Sequence, residues 1–176
     1  MSSLRFRFLV GCFAACLISV AFAQKAAVWK LLSPSGAPFS VKLPGTPQPQ
    51  AQTVNDPIAG KLDMKMYVLA GAANVYVVED MKPEKTVSPS EYVATLEGVQ
   101  HGFLSTSGTT LVSAQQTKFK GYVARTMMFK KDTKLVRGLS LMADNHCLCF
   151  FAIAEGSQIK SAAVTNFFDS IKIKGK

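Results

Sequence analysis

The chain predicts an α+β fold: a single antiparallel sheet of about six to eight strands packed with helices in one domain. Three observations predict it. Apolar and polar residues alternate along several short runs, the pattern of half-buried strands. Ser88-Pro89-Ser90-Glu91 supplies a serine cap, a proline at the first helical position and a glutamate at the third, which together start a helix. Four extended runs near the C-terminus are separated by joints so short that neighbouring strands must be antiparallel.

Taken in order, Val28–Leu32 alternates and predicts a strand, and Ser33–Pro38 is a turn by its proline and glycine content. Phe39-Ser40-Val41-Lys42-Leu43 places apolar residues at every second position, and Pro44-Gly45 stops it. Thr46–Gly60 holds three prolines and four side-chain amides with little apolar periodicity, and predicts an exposed, floppy connection. Lys61–Val68 alternates cleanly. Val75–Glu79 is apolar on both faces, as an interior strand requires. The helix after Ser88 carries Tyr92, Leu96, Val99 and Phe103 on one stripe. Gly102 costs about 1 kcal/mol relative to alanine there, so fraying is expected near it. The four-strand meander comprises 109–119, 122–129, 134–143 and 147–154, the last apolar on both faces. Ile159, Ala163, Phe167 and Ile171 then form a closing helical stripe, with Lys172, Lys174 and Lys176 suited to a helix C-terminus.

The first 23 residues predict export. Arg5 and Arg7 precede an apolar run from Phe8 to Phe22, and Ala21-Phe22-Ala23 gives the small-x-small pattern cleaved before Gln24. The run is too short, and too closely followed by that pattern, to be a membrane span. Leu9-Val10-Gly11-Cys12 resembles a lipid-attachment box. However, two arginines interrupt the stretch before it, and lipidation would leave 13–22 as an apolar tail without purpose. Cleavage between Ala23 and Gln24 is therefore the expectation, leaving one domain, 24–176, periplasmic or secreted, with no transmembrane span. The 20 basic residues fall to 18 against 11 acids, a surplus that favours anionic partners. The basic residues are scattered, without aromatic interleaving, which together with export excludes nucleic acid.

The residues from Trp29 through Phe39-Ser40-Val41-Lys42-Leu43-Pro44-Gly45-Thr46-Pro47 resemble the F-x-V-x-x-P-x-x-P opening of bacterial exported proteins in the PsbP-like fold class. The meander and the closing Phe167-Phe168-Asp169-Ser170-Ile171-Lys172 resemble that class's ending, in which a phenylalanine–serine pair docks the last helix. Here Asp169 intervenes between aromatic and serine. The resemblance implies a sheet sandwiched by helices and a binding or assembly module. It brings no shared catalytic residues.

Three functional readings compete. The first is a non-enzymatic binding or accessory module of the cell envelope, its partner an envelope protein or an anionic envelope component. Lys118, Lys120, Arg125 and Arg137 lie on adjacent meander strands and offer a candidate anionic-ligand surface, against the plainer role of keeping a sheet edge soluble. The second is copper or zinc handling. Cys147 and Cys149 share a strand face, His146 points the other way, and Met64 and Met66 could add thioethers. Against it stands ordinary packing, since buried cysteine behaves as a small hydrophobe. Two cysteines at i and i+2 of a strand lie about 6.6 Å apart, so a disulfide between them would need a bulge or twist. The third is a small hydrolase. Only His101 and His146 could serve it after cleavage, and Glu155-Gly156-Ser157-Gln158 lacks a nucleophile elbow. No cofactor is expected.

Overall fold

The computed structural model describes residues 28–56 and 60–174; the leader, the Cys12 box and the Ala23–Gln24 junction lie outside the described residues. Its centre is a seven-stranded antiparallel sheet. This contains β3 (Gln48–Asp56), β4 (Gly60–Ala70), β5 (Asn74–Pro83), β6 (Thr110–Phe119), β7 (Tyr122–Lys131), β8 (Lys134–Ala143) and β9 (His146–Glu155). The spatial order is β3-β4-β5-β9-β8-β7-β6, so the meander folds back to insert β9 beside β5. Both strands predicted interior, β5 and β9, are interior. A second sheet of three strands, β1 (Lys30–Leu32), β2 (Phe39–Leu43) and β10 (Lys172–Ile173), lies over one face. The fold class is the expected α+β, with two sheets in place of the single one predicted.

Each face of the large sheet carries its own core. Against the small sheet and helix α2 (Ala162–Asp169) pack Phe39, Val41, Leu43, Tyr76, Phe150 and Phe167. The rings of Phe39 and Phe150 meet edge-on at 5.5 Å. Against helix α1 (Tyr92–Ser107) pack Leu96, Val99, Phe103, Met127, Phe129 and Phe151, with Phe103 stacked on Phe151 at 5.0 Å. Gly138 on β8 lies under that stack. A Cβ there would come within 2.8 Å of the Phe151 ring.

Three local expectations change. Segment 46–60 contains β3, not a free connection: each residue from Gln48 to Asp56 pairs with β4. Its signal was weak because an edge strand buries little. Pro49 lacks the N–H a central strand would need, and an edge position tolerates that. Helix α1 runs unbroken through Gly102, which is buried. The predicted closing helix is shorter than its stripe: Ile159 sits in a preceding 3₁₀ turn, and Lys172 belongs to β10, not to a helix end. The start signal holds. The Glu91 carboxylate accepts from both the Ser88 N–H and its Oγ–H, and these bonds draw its pKa below the ordinary value.

The two ends of the chain lock together. Ser170 Oγ accepts from the Lys42 N–H on β2 and donates to the Phe167 carbonyl, tying the end of α2 to the Phe39–Leu43 strand. The Lys174 N–H then bonds the Pro38 carbonyl.

Candidate functional site

Strand β5 carries Tyr76-Val77-Val78-Glu79-Asp80-Met81, with two acids in a run covered on both sides. Because side chains alternate, Glu79 enters the α1-facing core and Asp80 the opposite one. Asp80, 4% exposed, meets His146 Nδ1 at 2.5 Å across the start of β9, so each buried group satisfies the other. Glu79, 2% exposed, has no hydrogen-bond partner and no cation among the described residues. Burial alone raises its pKa from 4.5 to about 7.

Around Glu79 the register builds a grid. One cross-strand row runs Met66, Glu79, Cys149, Ser140; the next runs Met64, Met81, Cys147, Met142. The grid holds six sulfur atoms, one carboxyl and one hydroxyl. Ser140 Oγ is fully buried and has no hydrogen-bond partner among the described residues. Both cysteines are free thiols. The hydrogen bond that Cys149 shares with Cys147 pushes its pKa well up, and burial and the charges of Glu79 and Asp80 push the same way. Met64 and Met66, uncertain partners in the sequence, do lie on the cysteines' face. His146, as expected, does not.

The four basic candidates are not brought together. Arg125 turns inward under α1, donating from Nε to Gln100 Oε1 at 2.8 Å and lying 3.4 Å from Glu97. Lys118, two residues beyond Gln116, the cross-strand partner of Arg125, is exposed on the same face. On the other side of the sheet, Arg137 covers the Phe168 ring at 4.4 Å and Lys120 bonds the Ile171 carbonyl. Arg125, Arg137 and Lys120 serve packing on two opposite faces because a guanidinium or long lysine stem covers apolar surface well. Neither histidine supports the hydrolase reading: His101 is exposed on α1 and His146 is engaged by Asp80.

A groove of about 360 Å³ opens between the small sheet and the β3–β4 edge. Lys30, Leu31, Leu32, Pro47, Pro49 and Tyr67 line it. Leu31 is 63% exposed, on a strand that among the described residues pairs only with β2.

The solution structure of cyanobacterial PsbP (CyanoP) from Synechocystis sp. PCC 6803 is similar to this chain with a TM-score of 0.58, at 13% identity. The match covers 88% of this chain and 97% of that one. The fold is PsbP-like. A Pseudomonas aeruginosa protein of unknown function is similar at a TM-score of 0.39 and 10% identity, over 74% of this chain and 85% of that one. No protein-family model matches the chain, and no curated protein matches it in sequence. At such identity the PsbP-like likeness speaks to architecture. The Phe39–Leu43 strand and the Phe167–Ser170 ending, which carried the resemblance in sequence, are the two pieces that Ser170 joins. No helix among the described residues is long and apolar enough to cross a membrane.

The sequence missed Glu79, Asp80 and Ser140. A usable signal existed: a strand apolar on both faces that ends in two acids must send one of them into each core.

Proposed function

We propose that this chain is an exported, non-enzymatic accessory module of the cell envelope that holds an extended segment of a protein partner in the groove beside β1. The groove is the observation that carries the reading. Its walls are mainly apolar and include two prolines and the Tyr67 ring, and its rim is a strand edge left open among the described residues. An open edge offers backbone hydrogen bonds to an added strand, while an adjacent apolar slot takes alternate side chains. Leu31, more than half exposed on that edge, is the natural first contact. The dispersal of Lys118, Lys120, Arg125 and Arg137 over two faces favours a protein partner over an anionic polymer or lipid surface. A PsbP-like fold is compatible with a role without catalysis. Export rests on the leader pattern.

The test is site-specific photo-crosslinking from position 31 in the envelope fraction, beside a Leu31→Asp variant used as bait. The reading expects one discrete partner, lost with Leu31→Asp and retained in high salt. A bait that binds equally well with aspartate at 31, or that is released from anionic liposomes by salt alone, overturns it.

A further inference from the structure

The sulfur-lined grid under α1 plays no part in the groove, and its chemistry points elsewhere. Cys147 has Met81 directly opposite on β5 and Met142 directly opposite on β8. Directly paired residues of an antiparallel sheet hold their Cβ atoms about 4.5–5.5 Å apart. One thiol thus has a methionine directly opposite it on each neighbouring strand. Met81, Met142 and Cys147 are all 2% exposed or less. Thiolate and thioether donors in a dry site select soft monovalent ions and reject hard ones. Charge makes the same choice. One thiolate, two thioethers and a +1 ion sum to zero, which avoids the cost of burying net charge, whereas a divalent ion would leave an excess. Two polar groups in the adjoining row, Glu79 and Ser140 Oγ, lack any partner among the described residues, as expected of a site built around something more than packing.

We propose that Cys147, Met81 and Met142 bind one soft monovalent ion of the Cu(I) class. On binding, the Cys147 S–H bond breaks and an S–Cu bond forms, with no change in oxidation state. The released proton is lost to solvent, as metal binding to a thiol requires. The row lies one residue pair in from the β8–β9 turn. There Asn145 holds the 83–87 loop: its Oδ1 accepts from the Val87 N–H at 2.9 Å, and its Nδ2 donates to the carbonyls of Pro83 and Lys85. Val87 itself is buried in this core.

The experiment is anaerobic Cu(I) titration of the reduced full chain against the chromogenic chelator bathocuproine disulfonate, with Zn(II) as the divalent comparison. The expected result is one Cu(I) equivalent withheld from the chelator, a sulfur-to-copper ultraviolet band, and no comparable retention of Zn(II). Cys147→Ser abolishes that equivalent. Met81→Leu and Met142→Leu, which conserve volume and leave the circular dichroism unchanged, each weaken it by about 10-fold or more. Failure to withhold copper overturns the proposal, as does copper held equally by Cys147→Ser or by the folded Met81→Leu/Met142→Leu double variant.

Discussion

The two faces of the large sheet solve the same burial problem with different chemistry. The face under the small sheet and α2 is aromatic and aliphatic, and its one buried acid is matched by His146. The face under α1 also has an aromatic stack, but part of it is a sulfur grid with an acid and a hydroxyl that are unmatched among the described residues. A buried polar group without a partner costs stability, and each face carries one, Asn74 Oδ1 on the first and Ser140 Oγ on the second, so the faces differ chiefly in the acid that each buries. The comparison separates a core that holds the fold from one that also carries spare chemistry.

The largest expected effect lies on the first face. Phe150→Ala removes the ring that meets Phe39 and Phe167, and should cost about 4 kcal/mol by urea unfolding. A loss under about 1 kcal/mol would mean that this face does not hold the fold. On the second face, Gly138→Ala drives a methyl group into the Phe151 ring and should cost about 2 kcal/mol. An unchanged melting temperature would show that the Phe103–Phe151 stack is loose. Ser170→Ala breaks the tie between α2 and β2. It should cost about 1 kcal/mol and raise amide exchange at Lys42, while exchange in α1 stays unchanged.

Much of this architecture was legible in the chain because strand alternation and the Ser88–Glu91 start are local signals. What was not legible depended on partners far away. β3 was obscured because an edge strand of glutamines and a proline has no buried face to announce it. The closing helix was overextended because Ile159 and Ile171 keep helical spacing while belonging to a turn and to the approach to β10. For the site, Cys147 and Cys149 were found from sequence as a same-face pair. Their neighbours Met81, Met142, Glu79 and Ser140 required the register, which places β9 between β5 and β8 across long stretches of chain. Of the basic residues, Lys118 and Arg125 share one face as their strand positions suggested, while Arg137 and Lys120 lie on the other, which strand adjacency alone does not tell.

Glu79 and Asp80 are adjacent in sequence and point into opposite cores, so paired substitutions there measure the difference between the faces directly. The Glu79 carboxyl titrates near 7 in the folded chain against 4.5 ordinarily. Its contribution to stability is therefore intact below pH 4.5 and is lost as the pH rises to 7, a change of about 3 kcal/mol. At pH 8, Glu79→Gln should stabilise the protein by up to about 3 kcal/mol and flatten that decline, its effect vanishing at pH 4. At the same pH, Asp80→Asn should destabilise it by about 2 kcal/mol, because the His146 ring loses its charged partner. Opposite signs from neighbouring residues in urea unfolding at pH 8 are the predicted result. Destabilisation of similar size by both substitutions would contradict the account, since Glu79 would then have a partner as good as the one Asp80 has.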